Sequence, residues 1–376
     1  MEYKKDRTWL EIDLSAIEEN YRRIKEFVGE KTEIMAVVKA DAYGLGAVEI
    51  SKVLEKQGCP IFAVACIEEA MELRENGIKA PILTLGPVMP YNAAAAAENG
   101  IEVPLMSLEQ AEEMSKAAQK AGVTVKAHIK ADAGLSRFGI VLENRIKEAA
   151  DEAEAMTKLP GIECVGLFTH YTGADIPLGE EFNLHQIELF KGFTAELEKR
   201  GVKPKVHSAS SLFTAVYPQC HDDYVRVAAL VLGLEAPAER GVVCRQSAEM
   251  KTVIYQIKDV EMGRSIGYGP TYYTQRKTRI AVLPVGYADG INRSVQNKAS
   301  FMLHGKRAKI IGKMCMDYTM IDVTDIPEAK EGDVVTVFGR DGGNHTEAYE
   351  LADLWGGTVG ELTSLITARV PRFYKR

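Results

Sequence analysis

Two rhythms of apolar and polar positions alternate along the first two thirds of the chain. Short apolar runs bounded by polar residues or glycine, at 34–38, 61–65, 82–85, 101–103, 123–129, 164–168, 205–207 and 224–227, are too brief for helices and read as buried parallel strands. Between them, residues 68–75, 91–98, 108–121, 142–156 and 182–200 carry apolar positions at helical spacing. An opening helix is marked by Ile17, Tyr21, Ile24 and Phe27, with Asp13 placed to cap its first turn. Eight such strands, each close to a helix, predict a closed (β/α)8 barrel over residues 10–238. An open doubly wound sheet ranks second, because no dinucleotide-type glycine fingerprint opens its first turn. After Leu234 the texture changes. Residues 235–241 read as a connector, and strand-like segments then dominate at 252–257, 278–284, 308–311, 320–323 and 334–338, punctuated by turn signals such as Asp341-Gly342-Gly343. Residues 239–376, joined by residues 1–9, are expected to form a mostly β domain with two short helices, at 347–354 and 359–367, and a terminal strand at 370–374.

Composition narrows the class. A chain of 376 residues has room for a barrel and a second domain, since single cores stop growing near about 250–300 residues. Its 46% hydrophobic and 26% charged content is that of an ordinary globular protein, and no apolar run approaches a membrane span. The charged start, Met1-Glu2-Tyr3-Lys4-Lys5-Asp6-Arg7, is followed by no apolar signal region, so the expected address is cytoplasmic and no membrane partner is expected. A net charge of -7 with dispersed lysines argues against a nucleic-acid partner. The cysteines, Cys59, Cys66, Cys164, Cys220, Cys244 and Cys315, show no metal-ligand or redox spacing and read as reduced thiols, so no metal is expected.

Candidate chemistry collects at the carboxyl ends of the strands. Lys39 follows the first barrel strand directly; held there by apolar walls, its ammonium is disfavoured, and a neutral amine can form a Schiff base with an aldehyde. The bland alternative is a loop lysine in water. The loop Lys130-Ala131-Asp132-Ala133-Gly134-Leu135-Ser136-Arg137 sets a lysine and an arginine on either side of a glycine turn, able to hold a carboxylate or equally to be solvated. His170 ends another strand, and a lone histidine is more often structural than functional. Ser208-Ala209-Ser210-Ser211 precedes a helix start, where hydroxyls and free amides suit a phosphate.

The run from Lys39 to Gly46, Lys-Ala-Asp-Ala-Tyr-Gly-Leu-Gly, resembles the pyridoxal 5'-phosphate attachment segment of the alanine racemase family (fold type III). The resemblance extends, in the family's order, through the Arg137 loop, Arg226, Ser265-Ile266-Gly267-Tyr268-Gly269 and Cys315-Met316-Asp317. It implies that Lys39 carries the cofactor, that Tyr43 and Ser211 contact its phosphate, that His170 lies near its ring and that Arg226 bonds its pyridine nitrogen. Backbone amides of Ala228 and Ala229 are expected at the phosphate, although Ala228 replaces a glycine. Arg137 would face the substrate, Lys130, often carbamylated in the family, would position it, Tyr287 would line the entry, and Met316 with Asp317 would form the carboxylate site. An arginine cannot protonate a pyridine nitrogen, so the ring becomes a weaker electron sink and reprotonation at Cα is favoured over transamination.

The implied reaction is interconversion of L- and D-alanine by two bases, Lys39 and Tyr268, supplying D-amino acid for peptidoglycan. Family members are homodimers with shared active sites, so Tyr268 and Met316 are expected to serve the partner's Lys39. Ser210, the 227–232 segment and Ala368 depart from the family pattern, and they keep a serine or broader-specificity racemase open as an alternative. A pyridoxal-phosphate-dependent decarboxylase would need an acidic partner for the pyridine nitrogen where Arg226 stands, and a non-enzymatic cofactor carrier would not need Tyr268.

Overall fold

Eight parallel strands close almost completely into a barrel in the computed structural model, which describes residues 4–173, 179–234 and 241–376. Their order around the barrel is Tyr224–Val227, Glu33–Val37, Ile61–Val64, Ile82–Thr84, Ile101–Leu105, Val125–Asp132, Ile162–Phe168 and Lys205–His207. The seam between the first and last of these has no regular ladder. It is held by the Val206 N–H to Asp223 Oδ2 (2.8 Å) and by the Arg226 N–H to the Ala209 carbonyl (2.9 Å). All eight expected strands are present, and helices such as Ala47–Lys56, Leu108–Ala121, Ile146–Thr157 and Glu180–Lys199 lie between them.

The two-residue period of a strand explains how the barrel fills. Ile34, Ala36 and Val38 pack outward with the helices in the main core, whereas Met35 and Val37 join Ile61, Ala63 and Leu83 in a separate inner cluster. On the other side of the barrel the buried side chains are polar: Glu102, His128, Lys130, His207 and Arg226. The opening helix runs Leu14–Val28, and Asp13 accepts a hydrogen bond from the Ala16 N–H at its start.

Beyond the barrel, one sheet orders Lys306–Lys309, Ser300–Leu303, Val334–Asp341, Ala248–Val253, Thr8–Asp13 and Arg372–Lys375, and a second orders Gln256–Val260, Thr278–Leu283 and Thr319–Asp322. Thr8–Asp13 was not anticipated as a strand. It runs antiparallel to Ala248–Val253 and parallel to Arg372–Lys375, so the start of the chain is the inner strand of a sheet otherwise made by its end. The single strand expected at 252–257 is two strands in two sheets, because the Ile254 N–H turns to the Asp333 carbonyl and the Tyr255 N–H to that of Val282. The helix expected from 142 starts only at Ile146. Most of the expected connector, residues 235–240, and with it the expected division at 238, lies outside the described residues.

Candidate active site

Lys39 leaves strand Glu33–Val37 and enters one left-handed turn, in which Ala40, Asp41, Ala42 and Tyr43 all have φ between 51° and 57°. None of these is glycine, and each such residue costs about 1–2 kcal/mol relative to the right-handed form. The turn is held from outside. Glu69 accepts the Ala40 N–H through Oε1 and the Ala65 N–H through Oε2, both at 2.7 Å, and Asp41 Oδ1 accepts the Ala47 N–H (2.7 Å) at the start of the following helix. Strain at one point of a βα loop, fixed by its surroundings, is a mark of functional sites.

The turn opens into a cavity of about 430 Å³ at the carboxyl ends of the strands. Lys39, Tyr43, Lys130, Arg137, His170, Ser211, Arg226, Ala228 and Ala229 line it, so nine of the expected residues converge from five strand ends. Ser210 lines it too. Among the described residues its lining holds four cationic side chains and no carboxylate. Burial first, then Arg137 and Arg226 against the opposing pull of Glu69, pushes Lys39 below the ordinary lysine range; its Nζ stands 5.7 Å from the centre of the Tyr43 ring. Lys130 is pushed down to about 8, by burial and then by Arg137 and Arg226, with Asp132 opposing. Its Nζ sits 5.1 Å and 5.4 Å from the Phe168 and Phe138 rings. Asp132 shapes the loop that carries Arg137, accepting the Gly134 and Ser136 N–H groups at 2.9 and 3.1 Å.

Arg226 is buried and almost fully occupied. Its Nη2 donates to the carbonyls of Thr169 (2.7 Å) and Ser208 (3.0 Å) and to His170 Nδ1 (3.2 Å), and its Nη1 donates to the His207 carbonyl (2.7 Å). Burial and the nearby cations, Arg226 first, hold His170 down to about 3, so its ring is neutral. Because Nδ1 accepts from Arg226, the ring hydrogen is on Nε2. Ser211 opens the short helix Ser211–Val216, and its Oγ accepts the Ala228 N–H at 2.9 Å, which leaves the hydroxyl hydrogen to donate.

Tyr268, Tyr287, Met316 and Asp317 do not line this cavity. Tyr268 stands 70% exposed at the tip of a loop between Gly267 and Gly269, both with positive φ, beside a separate depression that also reaches Cys315. A Cβ on Gly267 would come within 2.7 Å of the Lys313 carbonyl oxygen, so the loop packs backbone to backbone there. Met316, 53% exposed, and Tyr287 share one surface turn in which the Ala288 N–H donates to the Met316 carbonyl at 3.0 Å. Asp317 is paired with Arg369 at 2.8 Å, and Arg369 also holds the buried Asp289 through Nε at 2.7 Å. Phe168 and Glu69 belong to the site without having been expected; Phe168 reads simply as the end of a strand, and Glu69 as one charge on a helix.

Residues 12–236 match the family model described as alanine racemase, N-terminal domain, and residues 247–374 the one described as alanine racemase, C-terminal domain. The alanine racemase of Methanococcus maripaludis is 38% identical over 370 residues, covering 97% of this chain and 98% of that one. Among solved structures, the alanine racemase of Bacillus anthracis with bound L-Ala-P superposes with a TM-score of 0.91 at 34% identity, covering all of this chain and 96% of the other. The alanine racemase of Bartonella henselae with covalently bound pyridoxal phosphate gives 0.86 at 26%, covering 98% and 99%.

Proposed function

We infer from one premise, that the chain belongs to the alanine racemase family, an enzyme that interconverts L- and D-alanine with pyridoxal 5'-phosphate as cofactor. The observation that carries the cofactor reading is Lys39, depressed in basicity, at the wall of a cavity that four cationic side chains and, among the described residues, no carboxylate line. Such a cavity suits a flat ring bearing an anionic group, and its volume is within the about 300–1,000 Å³ usual for small-ligand sites. Lys39 Nζ would hold the aldehyde carbon, Ser211 and Tyr43 with the Ala229 amide the phosphate, the Ala228 N–H being taken by Ser211 Oγ, and His170 and Arg226 the ring. Bound there, the cofactor draws electron density from the substrate's Cα and makes its hydrogen removable.

This chain's own residues then move the proton. Once the substrate's own amine has displaced it from the aldehyde carbon, Lys39 Nζ carries the proton on one face of Cα, and Tyr268 Oη of a second copy of the chain carries it on the other, removing it from L-alanine while Lys39 delivers the replacement. A high exposure of Tyr268, outside the Lys39 cavity, supports a role completed across a homodimer. Arg226, whose two Nη groups are already engaged by His207, Thr169, Ser208 and His170, would offer the ring nitrogen a hydrogen bond without yielding a proton, which would favour return of the proton to Cα. Arg137 faces the substrate and the phenol, Lys130 supports it, and the neutral fraction that Lys130 gains near pH 8 favours its carbamylation. The Met316 backbone amide takes the substrate carboxylate end, Asp317 stays paired with Arg369 beside it, and Tyr287 narrows the entry.

Relatives at 36–38% identity over nearly the whole chain are named alanine racemases, and no observation favours serine or a decarboxylation. Lys39→Ala should abolish both alanine racemisation and the visible absorbance of the holoenzyme. A variant that stays coloured and active overturns the reading. Racemisation rates for alanine, serine and lysine compared side by side test the substrate, with equal rates removing the preference for alanine.

A further inference from the structure

On the side of Arg226 away from the cavity, three polar side chains continue through the interior of the barrel. Arg226 Nη1 lies 3.1 Å from Nδ1 of His207, Nε2 of His207 lies 2.8 Å from Nδ1 of His128, and Nε2 of His128 lies 2.7 Å from Oε2 of Glu102. Glu102 is 7% exposed, His128 2% and His207 fully buried. Glu102 borders a depression shared with Arg74, Lys126 and Glu163, separate from the Lys39 cavity.

Both ends of this chain dictate where its hydrogens are. A guanidinium only donates and an ionised carboxylate only accepts. Arg226 therefore needs a lone pair on His207 Nδ1, which places the His207 hydrogen on Nε2. That hydrogen is donated to His128 Nδ1, and His128 in turn donates from Nε2 to Glu102. Each bond then has one donor and one acceptor, and both rings are neutral. Full burial, with His128, Arg226 and Lys130 close by, keeps His207 well below the ordinary histidine range, in agreement with that arrangement.

The backbone is shaped around the rings. The ladder between Val125–Asp132 and Ile162–Phe168 shifts register between Ala127 and His128. Opposite, a Cβ on Gly166 would lie 1.8 Å from His128 Nδ1, so only glycine admits the imidazole. Phe168 stacks on His207 with ring centres 4.9 Å apart and planes 12° from parallel. Apolar residues would fill the same space without desolvating a carboxylate, so stability alone gives no reason for the arrangement.

We propose that Glu102, His128 and His207 form a positioning relay that fixes the orientation and donor strength of Arg226 at the cofactor ring. None of the three lines the cavity; they reach it by hydrogen bond through Arg226, with the Phe168 stack as the other contact of His207. The proposal rests on the reading of Arg226 as the ring's partner, and cooperative polarisation along a hydrogen-bonded chain lets the distant carboxylate be felt there.

Holoenzyme labelled with 15N in its histidine rings provides the test. In the parent, His128 and His207 should both report the neutral Nε2–H tautomer. Glu102→Leu should give mixed tautomers, shift the visible absorbance of the holoenzyme and lower kcat about tenfold or more, with KM for alanine changed by less than about twofold. Glu102→Asp should recover part of the loss, and Gly166→Ala, which alters no titratable group, should reproduce the spectral shift. An Nδ1–H or mixed tautomer at either ring in the parent overturns the relay, as does a Glu102→Leu enzyme with parental tautomers and kcat. If Glu102→Leu does not fold, the parental tautomers and Gly166→Ala decide. A parent without visible cofactor absorbance would defeat the functional reading instead, and the ring tautomers would still judge the relay.

Discussion

Lys130 shows how a site stores instability in a single side chain. Its amine titrates at about 8 in the folded protein against 10.5 ordinarily, because burial and neighbouring guanidinium groups disfavour the ammonium. Between these values the unfolded chain holds more protons than the folded one, so this group's contribution to stability rises with pH from about 8 to about 10.5. Below pH 8 the full cost of the buried charge is present, on the order of 3 kcal/mol. Lys130→Met should therefore raise the denaturation midpoint of the cofactor-free protein at pH 7, and the gain should shrink as the pH approaches 10; a gain independent of pH would refute the assignment. The places of Lys39, Lys130 and Arg137 at strand ends were legible in the chain, but position left each as easily a solvated loop residue, and it was the resemblance that singled them out together with Arg226. Glu102, His128 and His207 were not, because their meeting depends on the inward faces of three strands far apart in sequence.

Among the elements, the left-handed turn after Lys39 is the one whose geometry departs most from the local rules. Its four residues lack glycine, so no turn signal marks it, and a glycine-bearing loop is as far as the sequence can be read there. Gly44 and Gly46 close it against the second domain: a Cβ on Gly44 would lie 2.1 Å from the Thr363 carbonyl oxygen, and one on Gly46 1.7 Å from Tyr374 Oη. Gly44→Ala, with φ at +82° and backbone in its way, is expected to cost about 3 kcal/mol. Ala40→Gly should instead gain about 1 kcal/mol by relieving the left-handed conformation. Denaturant midpoints of the two variants measure both, and shifts of the same sign would show that the turn is not strained. Regular strands were legible through their apolar runs, whereas Ser300–Leu303 and Thr8–Asp13 were missed: the first is only four residues long, and the second carries Glu11 and Asp13 in a stretch that reads as the approach to a helix.

At the scale of the whole molecule, the two groups proposed to carry the proton belong to different surfaces of one chain. Mixing inactive Lys39→Ala and Tyr268→Ala proteins under conditions that exchange subunits should then restore about one quarter of parental activity. Half of the dimers would be mixed, and each of those would contain one intact site of two. No recovery would show that both groups act within a single chain. Asp289 ties the same surface together, accepting Arg7 at 2.7 Å and Arg369 at 2.7 Å with no exposure of its own. Asp289→Ala should cost about 1–2 kcal/mol by taking the shared carboxylate from Arg7, while the partly exposed Arg369 keeps Asp317, read as a lowered thermal midpoint. Thr8–Asp13, pinned between Ala248–Val253 and Arg372–Lys375, bears on biogenesis. Because every barrel strand lies between Thr8–Asp13 and Arg372–Lys375 along the chain, the segment stays open on one edge until all of the barrel has been synthesised, and the sheet is completed only after it.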